Sequence, residues 1–434
     1  MAGRDHAGVA GGGGVAQVAG FQNRDAMATT QQFPAAEQPD DASADDDDVI
    51  VHVSFRGSML HLPGPVKVHQ FQGRSAMSIR LGIIGAGGIG QVHAQAASDA
   101  GHPAKVLCDL DQARAEEAAK PWGAEAMTDV DAMLARDDLD AIVVALPNCL
   151  HAPMACRALE AGKHVLLEKP MAMNVAECQD VIKARDAADR LLQVGFVCRF
   201  AAPVQAAQQF IDSGRLGRIY HVRAAMYRRR GIPGLGRWFT TREQSGGGVM
   251  IDLGPHLVDL ALHLTGRPQV VSANAVATSI FGSPLYEYRF TNMWAGPPNP
   301  DGKFDVEDGA SVQLRCADGL SISLEMAWAS HLPDGTLPDG VTLFGEKGAM
   351  HFDMWGDHLM IGTEMDGELV DVKHTVPEGE GWGTAFQREH ENFASNCTSS
   401  TAPTASAENG RDVQSVLTAM YASVDSGSTA LVAD

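Results

Sequence analysis

The stretch SIRLGIIGAGGIGQVHAQAASDAGHPAKVLCD, residues 78–109, decides the fold. Within it, 80–84 is a short apolar run typical of a buried strand, 91–100 suits a helix, and 105–108 suits a second strand. The motif G-A-G-G-I-G, residues 85–90, lies between the first strand and the helix. This order predicts a βαβ unit that binds a dinucleotide.

Each glycine of this loop has its own expected role. Gly85 permits the tight turn, Gly87 lets the backbone approach a pyrophosphate, and Gly90 allows helix and strand to pack closely. The helix start at Gly88 and Ile89 offers N–H groups and a positive dipole end to phosphates. We therefore predict that these residues bind a cofactor; the alternative is an ordinary Gly-rich turn without a nucleotide.

Asp109 follows the second strand and is the predicted partner of the adenosine ribose. Its carboxylate can accept hydrogen bonds from the ribose hydroxyls. It would also repel a 2′-phosphate, so NAD is predicted rather than NADP. Arg114 lies nearby and would serve a phosphate if the loop bends toward it.

Composition limits the class of protein. A chain of 434 residues predicts two or three domains. A net charge of −21 argues against nucleic acid and anionic membrane partners, and no apolar run has the length of a membrane helix. The seven cysteines are scattered without a C-x-x-C motif, which favours a reduced, cytoplasmic protein over a disulfide framework or a zinc site.

Residues 1–77 do not resemble a domain. They contain a glycine run at 11–14 and an acidic run at 45–48, and they lack the apolar core of a secretory signal. We predict that this segment is disordered or is a start-site extension, with the folded protein beginning near Met77. Residues 49–55 suit one strand, but an isolated strand has nothing to bury.

Strand and helix patterns alternate over residues 78–198, which predicts an α/β Rossmann domain with a doubly wound parallel sheet. The run LDAIVVAL at 139–146 suits a strand buried on both faces. Because ligands bind beyond the carboxyl ends of such strands, P-N at 147–148 and E-K-P at 168–170 should share a crevice with the glycine loop.

The pattern changes in residues 199–434, where β-rich runs predominate and predict a second, α+β domain with a largely antiparallel sheet. The predicted strands are 219–227, 270–280, 309–316, 320–328, 341–345 and 349–352. The predicted helices are 204–213, 249–264, 384–394 and 412–423.

Lys169 is the first candidate for chemistry. It follows a buried strand and precedes a rigid proline, so its ammonium can point into the crevice and hydrogen-bond a substrate hydroxyl. The alternative, a surface lysine on a loop, is the commoner case for a lysine taken at random.

The second candidate is the motif G-G-G-V-M-I-D-L-G-P-H-L-V-D at 246–259. Asp252 and His256 are four residues apart, so one helix would place them on the same face, with Asp259 a turn further. Such an aspartate can fix the histidine tautomer and raise its basicity, as a general base requires. The alternatives are a histidine satisfied within the core and a metal ligand, although the spacing is not a zinc signature and no metal is predicted.

The segment YRRRGIPGLGRW, residues 227–238, is the predicted substrate side. Its arginines suit a polar or anionic ligand, and the indole of Trp238 suits stacking on a sugar face; a solvated basic loop is the alternative. The candidates are Arg228, Arg229, Arg230, Arg237 and Trp238, with Arg199 and Trp328 as weaker ones.

Five features occur in a fixed order: the glycine loop, Asp109, P-N-x-x-H at 147–151, A-G-K-H-V-L-L-E-K-P at 161–170, and G-G-G-x-x-x-D-x-G-x-H-x-x-D at 246–259. Together they resemble the Gfo/Idh/MocA family, named after glucose–fructose oxidoreductase and inositol dehydrogenase. The resemblance runs from about Met77 to the C-terminus, with V-E-D at 306–308 and G-E-K-G at 345–348.

This resemblance implies a Rossmann domain followed by a large open sheet that often mediates oligomerisation. It implies that Lys169 stands beside the nicotinamide and the reacting carbinol, and that His256, paired with Asp252, takes the hydroxyl proton. It also implies a cis peptide bond before Pro170. The nicotinamide side would be lined by Pro147, Asn148 and His151, and Glu168 and Lys169 complete the predicted cofactor-binding set.

The sequence therefore predicts a dehydrogenase that uses NAD, or less favourably NADP, on a secondary hydroxyl of a sugar, sugar derivative or cyclitol. A homo-oligomer with a small-molecule substrate is expected. The alternatives are a redox-neutral glycosidase that retains NAD, and a non-catalytic NAD-binding sensor. The presence of Lys169, Asp252 and His256 counts against the sensor.

Overall fold

The computed structural model describes residues 51–55, 58–60, 78–282, 289, 293–333, 335–336, 339–377, 380–399 and 401–433. The strands are β1 Val51–Phe55, β2 Ser58–Leu60, β3 Leu81–Ile84, β4 Ala104–Cys108, β5 Glu125–Met127, β6 Ala141–Val144, β7 His164–Glu168, β8 Leu192–Gly195, β9 Ile219–Tyr227, β10 Val270–Thr278, β11 Gly309–Cys316, β12 Ser321–Ala327, β13 Gly340–Gly345, β14 Gly348–Phe352, β15 His358–Met365, β16 Glu368–Thr375 and β17 Ala430–Leu431. The α-helices are α1 Gly88–Asp99, α2 Gln112–Ala119, α3 Val130–Leu134, α4 His151–Glu160, α5 Val175–Ala188, α6 Ala202–Asp212, α7 Arg242–Ser245, α8 Val249–Asp252, α9 Gly254–Leu264, α10 Trp382–Ser399 and α11 Ala407–Ser426.

The first sheet has six parallel strands in the order β5-β4-β3-β6-β7-β8. All four residues of β3 and of β6 are buried, because helices cover both faces of the sheet. The strand order reverses between β3 and β6, so the binding crevice lies beyond Ile84 and Val144. This confirms the predicted doubly wound Rossmann sheet.

The second sheet has eleven strands in the order β17-β10-β11-β12-β9-β13-β14-β15-β16-β1-β2. The β9–β12 pair is parallel and the other pairs are antiparallel. Buried and exposed residues alternate along β11 and β16, as expected for a sheet with one covered face. The predicted large, mostly antiparallel open sheet is therefore confirmed.

Besides the short β2 and β17, the strands β15 and β16 of this sheet were not predicted from the sequence. They form a hairpin whose turn holds Asp366 at φ 53° and Gly367 at φ 83°. An Asp-Gly pair between strands is a strong hairpin signal, because both turn residues adopt positive φ. The signal was thus present in the sequence.

The strand β1 pairs antiparallel with β16, and β2 pairs with β1. This differs from the expectation of disorder for these residues, which assumed a strand without a partner. The partner is β16, a strand that the sequence analysis missed. Residues 1–50 and 61–77 lie outside the described residues, so the start-site hypothesis stays a prediction.

The C-terminal helices return to the Rossmann domain. Phe386 of α10 contacts His93 of α1 with ring centroids 5.2 Å apart. Before α11 begins, the carbonyl of Ala405 accepts a hydrogen bond from the N–H of Val194 in β8. The predicted division at residue 198 stays a prediction, but the first sheet is covered partly by the last helices of the chain.

None of the described helices has both the length and the apolar character needed to cross a membrane.

Candidate active site

The glycine loop forms a tight cradle at the carboxyl end of β3. Gly85 has φ +102°, and a Cβ there would lie 2.2 Å from the carbonyl oxygen of Ala145. A Cβ at Gly90 would lie 1.8 Å from the carbonyl oxygen of Gly85. A Cβ at Gly87 would meet no atom within 4 Å. The fold itself thus requires the outer two glycines, whereas Gly87 borders the open space that a pyrophosphate needs.

The N-terminus of α1 faces the same space. Its N-cap, Gly87, makes no side-chain capping bond, and its first turn holds no acidic residue. The first N–H groups of a helix lack intrahelical acceptors and attract anions. The cradle therefore fits a dinucleotide pyrophosphate at the predicted Gly88 and Ile89.

One neighbour of this cradle was not predicted. Trp294, from the connection between β10 and β11, places its carbonyl oxygen 3.4 Å and its ring 3.5 Å from a Cβ position at Gly88. The indole also meets Phe239 edge to face, with centroids 5.1 Å apart. The second domain therefore reaches the glycine loop, and no local motif in the sequence marks this contact.

Asp109 links the end of β4 to the glycine loop. Its Oδ2 accepts a hydrogen bond of 3.0 Å from the N–H of Ala86, and its Oδ1 accepts one of 3.0 Å from the N–H of Asp111. Arg114 donates to Oδ1 at 3.2 Å. The predicted ribose site thus holds a carboxylate and a guanidinium in contact.

Lys169 lies in the crevice as predicted, and not on the surface. Its side chain is 14% exposed. Its Nζ donates to the carbonyl oxygen of Asp252 at 2.9 Å and to Oδ1 of the same residue at 3.1 Å. The Lys169–Pro170 peptide bond is cis, as the resemblance implied.

Asp252 is the hub of the cluster. Its Oδ2 accepts hydrogen bonds from Trp328 Nε1 at 2.8 Å and from Arg228 at 3.1 Å. Burial alone would raise the pKa of this carboxyl, but the charges of Lys169 and Arg228 outweigh it and hold the pKa well below its usual range. Asp252 is therefore ionised. Trp328, a weak substrate candidate from the sequence, is buried and anchors this carboxylate.

The single helix predicted over 249–264 is interrupted between Asp252 and His256, although the charge of Asp252 still acts on the imidazole. The predicted helix is divided into α8, which ends at Asp252, and α9, which begins at Gly254 with Pro255 in its first turn. A proline is favoured in a first turn but cannot continue a helix without losing a hydrogen bond. Between these two side chains, both of them described, no hydrogen bond is recorded.

His256 instead has a sulfur partner. Its Nδ1 lies 3.5 Å from Sγ of Cys198, a residue that the sequence analysis did not single out. Burial and the charge of Lys169 lower the pKa of His256 to about 3. The imidazole is therefore neutral near pH 7, with one ring nitrogen carrying a lone pair.

Asn148 and His151 fasten the loops around the crevice. Asn148 Nδ2 donates to the carbonyl oxygen of Ser245 at 2.7 Å. The His151 nitrogens lie 2.6 Å from the Pro170 carbonyl and 2.8 Å from the Leu146 carbonyl. Both side chains are buried and engaged with the backbone. Their predicted contact with a nicotinamide, like that of Pro147, stays a prediction.

A series of buried hydrogen bonds holds the E-K-P turn in place. Glu168 accepts from the N–H of Lys169 at 3.0 Å, and its other oxygen lies 2.9 Å from His93 Nε2. His93 Nδ1 lies 3.0 Å from His390 Nε2 on α10. Burial would raise the pKa of Glu168, but the hydrogen bond and charge of His93 lower it. His93 and His390 are 297 residues apart in the sequence, so the sequence alone did not indicate that they are in contact.

The predicted substrate arginines take different places. Arg230 lies 2.9 Å from His331 and has its guanidinium 5.3 Å from the Phe281 ring. Trp238 stacks on Phe239 with centroids 3.7 Å apart. Their contact with a substrate stays a prediction.

Across the described residues, no group of three or more His, Cys, Asp or Glu side chains is placed to hold a metal ion.

Arg199 is a structural residue, which corrects its interpretation as a substrate ligand. Its Nε lies 2.7 Å and its Nη2 2.5 Å from the two oxygens of buried Asp259. It also donates to Asn409 at 3.1 Å and to the carbonyl oxygen of Thr404. Its guanidinium therefore hydrogen-bonds residues of both α9 and α11 and connects the two helices.

We expect Arg199→Met to lower the free energy of unfolding by about 3 kcal/mol, because it leaves a buried carboxylate without its main partner. Urea unfolding measures this loss. Arg218→Met, which breaks an exposed pair with Glu346 at 3.0 Å, is the control and should cost less than about 1 kcal/mol. Unchanged stability with a raised substrate KM would restore Arg199 as a substrate ligand.

A Rossmann cradle beside a lysine, an aspartate and a neutral histidine defines a nicotinamide-dependent oxidoreductase. Residues 79–196 match the family described as "Oxidoreductase family, NAD-binding Rossmann fold", and residues 204–351 match the GFO/IDH/MocA C-terminal domain. The chain belongs to the Gfo/Idh/MocA family of oxidoreductases.

Curated relatives agree with this assignment. The D-glucoside 3-dehydrogenase of Escherichia coli (strain K12) is 30% identical over 361 residues, which are 82% of this chain and 98% of that protein. The inositol 2-dehydrogenase of Rhizobium meliloti (strain 1021) is 33% identical over 211 residues, 46% of this chain and 59% of that protein. A solved structure of levoglucosan dehydrogenase with NADH and levoglucosan has a TM-score of 0.72 at 23% identity, covering 82% of this chain and all of that one, and shows a common fold.

Proposed function

We propose that the protein is an NAD-dependent dehydrogenase that oxidises a secondary ring hydroxyl of a sugar, sugar derivative or cyclitol. The observation that carries this proposal is the gathering of Lys169, Asp252 and neutral His256 at the carboxyl end of β7, on the edge of the sheet that holds the glycine cradle. Relatives named as dehydrogenases of a glucoside and of inositol support the substrate class.

The proposed chemistry divides the work among these side chains. The bound nicotinamide supplies the acceptor for the hydride that leaves the carbinol carbon. His256 accepts the hydroxyl proton at Nε2, for which no hydrogen bond is recorded in the described part of the chain. The Lys169 ammonium hydrogen-bonds the substrate oxygen and stabilises its developing negative charge. Asp252 orients Lys169 and offsets its positive charge. Once the proton and the hydride have left, the carbinol carbon and its oxygen are joined by a double bond.

The test is an assay of the full chain with NAD or NADP and a panel of sugars, sugar acids, glycosides and inositols. We expect reduced nicotinamide to accumulate with NAD and one class of polyol. If nothing accumulates while NAD still raises the melting temperature, the dehydrogenase is refuted. Product analysis by chromatography then separates a redox-neutral glycosidase with retained NAD from a sensor, which forms no product.

The preference for NAD is proposed from Asp109. We expect Asp109→Ser to lower kcat/KM with NAD by about 10- to 100-fold, the value of one charge-assisted hydrogen bond. Use of NADP should rise relative to NAD, because Arg114 loses its contact with the Asp109 carboxylate. Steady-state kinetics with both cofactors measure the ratio.

The matched control is Asp111→Ser, because Asp111 also contacts Arg114, at 3.5 Å, from an exposed position. It should change the NAD to NADP ratio less than about threefold, since surface pairs contribute little. An unchanged ratio in Asp109→Ser would refute Asp109 as the selecting residue.

We further propose a homo-oligomer that forms through the second sheet, and a cytoplasmic location. Exposed apolar side chains on that sheet support the oligomer; they include Tyr220, Met360 and Leu369. The seven cysteines are all free, which supports a reducing compartment. The negative charge still argues against nucleic acid and membrane partners. Light scattering on the full chain tests the oligomer, and a single-chain mass would refute it.

A further inference from the structure

The contact between Cys198 and His256 joins two elements at the crevice. Cys198 lies in the 3-10 turn Val197–Phe200 that follows β8, and β8 is the neighbour of β7 in the sheet. The thiol is buried, with the residue 2% exposed. Its Sγ lies 3.5 Å from His256 Nδ1, within hydrogen-bonding range for sulfur. The carboxylate expected in this position, Asp252, is bonded to Lys169, Arg228 and Trp328 instead.

The partner of Nδ1 decides what Nε2 can do. A neutral imidazole carries one proton, and the ring nitrogen without it holds the lone pair. If Nδ1–H donates to Sγ, Nε2 is the free base; if the thiol donates to Nδ1, Nε2 bears the proton and cannot accept another. The direction of the hydrogen bond between Cys198 and His256 therefore decides which tautomer the imidazole adopts.

We propose that Cys198 is a positioning residue whose sulfur accepts the Nδ1–H of His256, so that Nε2 faces the substrate hydroxyl unprotonated. This inference rests on the proposed function, in which His256 is the base. The substrate oxygen would then find a lone pair at Nε2 and the ammonium of Lys169 as a donor, which suits the removal of one proton. A neutral thiol can donate or accept a hydrogen bond, and the role of His256 as the base assigns the acceptor role to Cys198. As a weak partner, the thiol does not stabilise the imidazolium as a carboxylate would.

Other charged groups also face the imidazole, and each belongs to another element. Lys169 and Glu168 come from the end of β7, Asp252 from α8, and Arg228 from the turn after β9. Burial, with the charge of Asp259, raises the pKa of the Cys198 thiol to about 12, so sulfur is present as the neutral thiol. None of these four charged groups hydrogen-bonds the imidazole in the described structure, so the tautomer depends on Cys198.

The test is nitrogen NMR of the full chain labelled at the histidine rings, with the His256 signals assigned by their loss in His256→Asn. Proton-bearing and lone-pair nitrogens have clearly different shifts, and the measurement needs no turnover. We expect the wild-type protein to show the Nδ1–H tautomer. An Nε2–H tautomer in the wild type would overturn the proposal, whatever the enzyme assay shows.

Variants then test the role of the sulfur. Cys198→Ala should mix the two tautomers and lower kcat by about tenfold with an unchanged KM for NAD, a part of the 10²- to 10⁴-fold value of a general base. Cys198→Ser, whose hydroxyl also accepts a hydrogen bond, should restore the tautomer and most of kcat. Cys178→Ala removes another fully buried thiol, on α5, and is the control for the cavity. If Cys198→Ala keeps the wild-type tautomer, the sulfur does not select it and the proposal fails.

Discussion

Lys169→Ala is expected to lower kcat by about 10²- to 10⁴-fold while the affinity for NAD changes less than about threefold. The ammonium, which lies 3.1 Å from Asp252 Oδ1, is the proposed donor to the substrate oxygen, and this substitution removes it. Asp252 keeps Arg228 and Trp328 as partners, and the cluster should therefore stay folded. Steady-state kinetics give kcat, and calorimetric titration gives the affinity for NAD.

Lys163→Met is the matched control. Lys163 is also buried, six positions earlier in the same motif, and its Nζ donates to the carbonyl oxygens of Arg136 and Leu139 at 2.6 and 3.0 Å. Its replacement should lower the melting temperature, because one buried and one partly buried carbonyl group lose their donor, and leave kcat of the folded enzyme unchanged. Turnover at the wild-type rate in Lys169→Ala would refute the proposed mechanism.

Gly87→Val is expected to abolish measurable NAD binding without destabilising the fold. The side chain would enter space with no protein atom within 4 Å of Cβ, and the backbone there has φ −71°, which any residue tolerates. That space is the proposed seat of the pyrophosphate, and losing two charge-assisted hydrogen bonds costs about 3–6 kcal/mol, or more than about 100-fold in affinity. Calorimetric titration with NAD measures the loss, and thermal melting measures stability.

Gly90→Val is the contrasting variant. Its Cβ would lie 1.8 Å from the Gly85 carbonyl oxygen, so helix and strand cannot keep their packing. We expect a large fall in melting temperature, with loss of NAD binding as a consequence of unfolding. Normal NAD affinity in a folded Gly87→Val protein would show that the pyrophosphate lies elsewhere.

Local elements were the most predictable part of this protein. The strand at 80–84, the glycine loop and the helix after it follow from neighbouring residues, because turn geometry and burial pattern act within a few positions. Lys169 could be placed at the crevice for the same reason, since every parallel strand of the sheet ends at that edge. Where local prediction failed, as at the Asp366–Gly367 hairpin and the break before Gly254, the signals were present but not used.

The partners within the site came only from the tertiary structure. Asp252 obtains its hydrogen-bond donors from positions 24, 76 and 83 residues distant, and Cys198 lies 58 residues from His256. Packing of two domains sets those contacts, and no periodicity within one element encodes them. The sequence by itself determined the cofactor fold and the residues proposed to carry its chemistry. The tertiary structure decided which of them touch, because the strand order and the return of the last helices bring distant segments to one crevice.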